Sequence, residues 1–151
     1  MGFYQYKQTQ SFNHPVEQLW DFISSPKNLK VITPDYMGFD IMSKDLPTKM
    51  YEGMIISYKV SPLLGIKTTW VTEITHVKDK RYFVDVQRVG PYKIWHHQHF
   101  LEQTTEGTLM TDIVSYKPPF GILGNLANKL VIKRKLDEIF NYRTKVLNEI
   151  F

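Results

Sequence analysis

The placement of turn signals constrains this chain more than any other feature. From Phe39 to Lys117, β-type segments alternate with breaks of turn length, whereas from Leu123 to Phe151 proline is absent and the one glycine is Gly124. Such a chain has to lay a series of paired strands against one long helix. The strand-like segments are 39–43, 53–60, 67–77, 81–89, 94–104 and 108–117. The breaks between most of them, such as Lys78-Asp79-Lys80, Gly90-Pro91 and Thr105-Glu106-Gly107, suit antiparallel hairpins and are too short for the crossover that parallel pairing requires. Ahead of this meander, residues 3–12 alternate apolar or aromatic side chains with Gln and Lys, as a half-buried first strand does.

Two short helices separate that strand from the rest. His14-Pro15-Val16-Glu17 is a helix start with proline in the first turn, and Val16, Leu19, Trp20 and Ile23 follow at i, i+3, i+4 and i+7. Ser24-Ser25-Pro26 ends this helix, and residues 27–32 form a second helical piece stopped before Thr33-Pro34. In the C-terminal segment, Ile132, Leu136, Ile139, Phe140, Leu147 and Ile150 make one apolar stripe. The predicted fold class is therefore α+β: a seven-stranded antiparallel sheet, curled by its own twist around a long C-terminal helix, with two short helices after strand 1. A curled sheet meets a helix along one line, so an internal cavity is expected between them. At 151 residues the chain has the size of a single domain, 1–151.

Composition narrows the function classes. Hydrophobic residues make up 42% and charged residues 23%, the balance of a soluble globular protein, and no apolar run reaches the roughly eighteen residues of a membrane span. The N-terminal residues lack a basic start followed by an apolar block, so a cytoplasmic location is expected. With no cysteine, disulfides, thiolate metal sites and cysteine nucleophiles are excluded. The net charge of +4 is spread along the chain, and no aromatic-interleaved basic motif accompanies it, so nucleic acid is not an expected partner. Lys129, Lys133, Arg134 and Lys135 read as a solvated helix face.

The candidate site begins on segment 94–104, where strand alternation turns Trp95, His97 and His99 to one side. On the following strand Met110, Asp112, Val114 and Tyr116 share a face, and Asp112 is the natural carboxylate partner of the imidazoles. Asp85 and Gln87 alternate with Phe83 on the preceding strand and extend a polar line across three strands. With Trp70, these residues are the expected ligand-binding lining: Trp70, Asp85, Gln87, Trp95, His97, His99, Asp112 and Tyr116. The competing reading is a structural hydrogen-bond network. Arg143 falls between Ile139 and Leu147 on the helix stripe and calls for a carboxylate, with Asp112, Asp85 and Glu73 as options; a structural ion pair is the favoured role. His97, His99 and Asp112 could hold a metal geometrically, but no metal or cofactor is expected; His96 faces away, His76 lies on another strand, and His14 belongs to the helix start. As catalysts, His97 or His99 would serve as acid or base, Asp112 would orient them, and Tyr116 would donate to an oxyanion. The tip Pro62-Leu63-Leu64-Gly65-Ile66 is unusually apolar; a loop folded over onto its own domain is the favoured reading, with a cavity mouth or a membrane or partner contact as the alternatives.

Gly90-Pro91-Tyr92, Trp95-His96-His97-Gln98-His99, Thr111-Asp112, Pro119-Phe120-Gly121 with Leu123-Gly124, and Phe140-Asn141-Tyr142-Arg143 together resemble the helix-grip superfamily of START, birch-pollen-allergen-like and polyketide cyclase/dehydrase-like proteins. The resemblance spans the chain and is greatest to the bacterial SRPBCC group labelled cyclase/dehydrase-like or cell-division-inhibitor-like. It implies a cavity for a hydrophobic small molecule and no particular reaction. One departure is Phe100-Leu101, where the pattern has an aromatic at position 101; it implies a differently shaped cavity end. The function expected first is binding of a hydrophobic or aromatic small molecule, lipid- or polyketide-like; the alternatives are a cyclase or dehydratase using the His/Asp pair and an interaction module without a ligand.

Overall fold

The computed structural model describes residues 2–62 and 65–151, so the Leu63-Leu64 tip lies outside the described residues. The chain runs β1 (Tyr4–Phe12), α1 (Val16–Ile23), two 3₁₀ turns (Pro26–Leu29 and Asp35–Met37), β2 (Asp40–Ile41), β3 (Ile55–Val60), β4 (Thr68–Lys78), β5 (Tyr82–Val89), β6 (Ile94–Thr104) and β7 (Gly107–Lys117). It ends in a helical stretch made of α2 (Gly121–Ala127), a π turn (Asn128–Ile132) and α3 (Lys133–Ile150). The seven strands form one sheet in the order β1-β7-β6-β5-β4-β3-β2, antiparallel throughout. The meander and the return of β1 to pair with β7 follow from the hairpin-length breaks. No helix among the described residues is long and apolar enough to cross a membrane.

Two elements are shorter than the sequence pattern predicts. Segment 39–43 pairs only at Asp40–Ile41, because the amides of Met42 and Ser43 both donate to the Ser57 carbonyl, at 2.8 and 3.2 Å, which ends the ladder. The helical stripe also stops early: Ile132, Leu136, Phe140, Arg143 and Leu147 are buried, Ile139 is half-buried, and Ile150 is 44% exposed. Before the π turn the apolar residues face out, with Ile122 85% and Leu123 73% exposed. Gly124 lets this start of the helix pack on the Pro118-Pro119 corner, since a Cβ there would lie 1.8 Å from the Pro119 carbonyl oxygen.

The core divides into two apolar clusters along the sheet. One joins α1 residues Leu19, Trp20 and Ile23 to Phe83, Leu101, Met110 and Leu147; the other joins Phe39, Trp70, Tyr92, Val114 and Tyr116 to Leu136 and Phe140. On β6, β7 and α3 alike, buried polar residues stand between the two: His97 and His99, Asp112, and Arg143. The helix is tied down beside them by β1, whose Gln10 Nε2 donates to the Thr144 carbonyl at 3.0 Å and to Asn148 Oδ1 at 2.9 Å.

Candidate ligand cavity and its ionised end

Strand register assembles the polar cluster. Asp85 on β5 stands opposite His97 on β6, and His99 stands opposite Asp112 on β7, all on the concave side of the sheet. Because side chains alternate, His97 and His99 share that face and stack with ring centroids 3.7 Å apart. Each carboxylate then reaches both rings. Asp112 Oδ1 lies 2.9 Å from His97 Nε2 and 3.0 Å from His99 Nδ1; Asp85 Oδ2 lies 2.7 Å from His99 Nε2 and 3.5 Å from His97 Nδ1. Arg143 descends from α3 with Nη1 3.5 Å from Asp112 Oδ1. Glu73, a sequence-level alternative partner for Arg143, is on the other face, held by Arg88 Nε at 2.5 Å.

These contacts set the protonation states. Burial alone would lower the pKa of His99, but both of its ring nitrogens meet carboxylates, and the bonds to Asp112 and Asp85 raise it. Arg143 Nη2 also approaches His99 Nδ1, at 3.5 Å. His97 moves the other way, lowered by burial and by the nearby His99, while its Nε2 donates to Asp112. Burial would raise both carboxyls. For Asp112, Arg143 and the two imidazoles outweigh burial and hold the group well below the usual carboxylate range; for Asp85, His97, His99 and Arg143 do the same more weakly. Two carboxylates thus face one guanidinium and two imidazoles whose pKa values move in opposite directions.

Asp85, His97, His99 and Arg143 form part of the wall of a cavity of about 160 Å³ between the sheet, the 3₁₀ turns and α3. Its walls are aromatic and aliphatic, with Phe39, Tyr58, Trp70, Trp95, Leu136 and Phe140 prominent. Trp70 and Trp95 meet edge to face at 5.2 Å, and Trp70 stacks on Tyr58 at 6.1 Å. The Trp70 indole N–H is satisfied by Thr72 Oγ1 at 3.1 Å, so the ring presents an apolar surface to the cavity.

Of the residues expected to line a site, Trp70, Asp85, Trp95, His97 and His99 are on the cavity wall. The other three do not line it. Asp112 is 2% exposed and sits behind the histidines, orienting them. Gln87 clamps the Gly90-Pro91 turn, its Nε2 donating to the Tyr92 carbonyl at 2.7 Å and its Oε1 accepting from the Tyr92 amide at 3.2 Å. The Tyr116 hydroxyl donates to Asn128 Oδ1 at 2.7 Å, in the π turn. Leu101, on the strand where the family pattern has an aromatic, packs into the α1 core cluster and is not on the wall. Lys135 leaves the expected solvated face: it bonds Glu138 at 2.6 Å, lies 4.9 Å from the Tyr36 ring centroid, and reaches the cavity beside Pro62 and Met37. Tyr58 and Thr72 are also on the wall, and the alternation Ile56, Tyr58, Val60 and Trp70, Thr72, Ile74 carries the signal that they face inward.

The same architecture recurs among solved structures. A protein from Arthrobacter aurescens superposes with a TM-score of 0.72 at 15% identity, covering 96% of this chain and 86% of that one. Protein Ms6760 from Mycobacterium smegmatis gives 0.67 at 17% identity, covering 97% and 92%, and Ara h 8.0201 gives 0.61 at 14% identity, covering 97% and 99%. At these identities the likeness is one of fold. No curated protein sequence matches the chain. Residues 12–138 match the family described as polyketide cyclase/dehydrase and lipid transport. That match takes in every element from the end of β1 to the first turns of α3, and the chain belongs to that family.

Proposed function

We propose that this protein binds a hydrophobic, ring-containing small molecule in the cavity between sheet and α3, with its polar end toward Asp85, His97, His99 and Arg143. The observation that carries this reading is the cavity itself, aromatic along much of its wall and polar where Asp85, His97, His99 and Arg143 reach it. An engineered apolar cavity of roughly 150 Å³ takes up benzene, so a space of about 160 Å³ suits one aromatic ring or a short aliphatic segment. Family membership supports the same class of ligand. The Tyr116 hydroxyl, the oxyanion donor expected of a catalytic set, is off the cavity wall and bonded to Asn128, which weakens that catalytic reading.

The test is a native mass spectrum of freshly purified protein set against its denatured mass. A stoichiometric organic adduct is expected, and adding it back to stripped protein should alter fluorescence from Trp70 and Trp95. An adduct-free spectrum, together with no fluorescence response to single-ring aromatic compounds at millimolar concentration, would overturn the reading.

A further inference from the structure

The geometry points to a second kind of occupant: we propose that Asp85, His97 and His99 bind one divalent transition-metal ion of the zinc class, with an open coordination position facing the cavity. The proposal is independent of which organic molecule, if any, the cavity holds.

The donor set is the first argument. One ligand atom from each of the three residues lies within 4.8 Å of the others. Asp85 Oδ2 is 2.7 Å from His99 Nε2 and 3.5 Å from His97 Nδ1. Tetrahedral bonds of about 2.0–2.1 Å place ligand atoms about 3.3 Å apart, so the separation of Asp85 and His97 already fits and the carboxylate oxygen has to move away from His99 by roughly 0.6 Å. Two imidazoles and one carboxylate favour zinc-like ions over magnesium or calcium, which take oxygen ligands. Such a set on the surface is common by chance, but here the histidines are 7% and 3% exposed and fixed by strand pairing.

The second argument lies behind the rings. Histidines that bind a metal through one nitrogen characteristically donate from the other to a carboxylate, which fixes tautomer and orientation. Asp112 Oδ1 accepts from His97 Nε2 at 2.9 Å and lies 3.0 Å from His99 Nδ1, the far nitrogen of each ring, with Arg143 Nη1 3.5 Å away. Asp112 is therefore a positioning residue and Asp85 the ligand, where the sequence pattern offers Asp112 as the third ligand. Both imidazoles coordinate as neutral groups, so any proton on a coordinating nitrogen leaves for solvent on binding.

The third is the open side. All three ligand residues are on the cavity wall, so the fourth position faces the space the organic molecule would occupy. With neutral histidines, a divalent ion and Arg143 exceed Asp85 and Asp112 by one positive charge. The vacant position accordingly favours an anionic oxygen, such as hydroxide, a carboxylate or an enolate.

The experiment is a titration of EDTA-treated wild-type protein with Co²⁺ followed by Zn²⁺. One equivalent of Co²⁺ should bind and give the visible absorption of a four-coordinate N/O site, and Zn²⁺ should bleach it. Asp112→Asn should weaken binding about 10- to 100-fold, and Asp85→Asn or His97→Ala should weaken it further, whereas His14→Ala, His76→Ala and His96→Ala should leave it unchanged. Failure of the wild-type protein to take up either ion at one-to-one stoichiometry overturns the proposal, whatever the folding of the variants. Unchanged affinity in Asp85→Asn or His97→Ala protein of native circular dichroism also overturns it.

Discussion

Asp112→Asn should be the most informative single substitution in the metal-free protein. Asp112 is 2% exposed and neutralises Arg143 while accepting from His97 and His99. Removing its charge leaves Asp85 as the one carboxylate beside the Arg143 guanidinium and the two imidazoles. Breaking a buried ion pair by removing one partner typically destabilises by about 3–5 kcal/mol. In a chain of this length that lowers the melting temperature by about 6–20 °C. The effect has a definite pH dependence. The folded-state pKa of Asp112 is depressed, so its stabilisation is complete above the unfolded carboxyl value of about 3.9 and disappears as pH falls toward the folded value. The assay is urea denaturation of wild type and variant, in EDTA, at pH 7, 5 and 3.5. The gap should be full at pH 7 and 5 and smaller at 3.5. A gap below about 1 kcal/mol at pH 7, or one that does not shrink on acidification, would refute the assignment of Asp112 as the charge that balances this layer.

Arg143→Ala should lower the melting temperature substantially, and combined with Asp112→Asn it should be less destabilising than the sum of the two single changes; thermal unfolding of the four proteins gives the coupling, and strict additivity would deny the pair. Gln87→Ala removes both hydrogen bonds to the Tyr92 backbone and should lose about 1–2 kcal/mol in chemical denaturation; no loss would mean that Gly90-Pro91 holds the turn unaided. Gly124→Ala puts a methyl group 1.8 Å from the Pro119 carbonyl oxygen and should destabilise by about 1–3 kcal/mol, despite alanine's higher helix propensity; a stabilised variant would show that the corner is free to move.

The strands were legible because period-two alternation survives in a half-buried sheet, and the hairpin-length breaks left one pairing direction. The inward set Trp95, His97, His99 and Asp112, Val114, Tyr116 follows from alternation alone. Alternation does not say which inward residues meet open space and which meet packed atoms. That depends on register with the next strand and on what α3 covers, and it is why Tyr116, Gln87 and Asp112 share the face of the site without lining it. The acidic residues flank the histidines from the two neighbouring strands, Asp85 from β5 and Asp112 from β7, and only Asp85 meets the cavity while Asp112 is closed off behind the rings. The break in the helix stripe was invisible for a different reason. A π turn shifts the phase of the apolar face without any Gly or Pro to mark it, so residues 122 and 123 turn outward while Ile132 turns in.

The position of the ionised layer bears on why it is there. On β6, β7 and α3 it replaces apolar residues that the flanking positions show could be accommodated: Leu101 below the histidines, Val114 and Met110 beside Asp112, Phe140 and Leu147 around Arg143. Replacing buried ion pairs by well-packed apolar side chains is often neutral or stabilising, by about 1–4 kcal/mol, so contiguous apolar packing through this layer would serve stability at least as well. A purely structural network would also be expected to close on itself, yet Arg143 Nε is buried without a partner among the described residues, and four of the five members, Asp85, His97, His99 and Arg143, open onto the cavity. The cluster holds two imidazoles whose pKa values move in opposite directions and two carboxyls below their ordinary range, on the wall of an otherwise largely apolar space. Forgoing stability to keep polar groups fixed on such a wall is the trade that the proposed binding role requires.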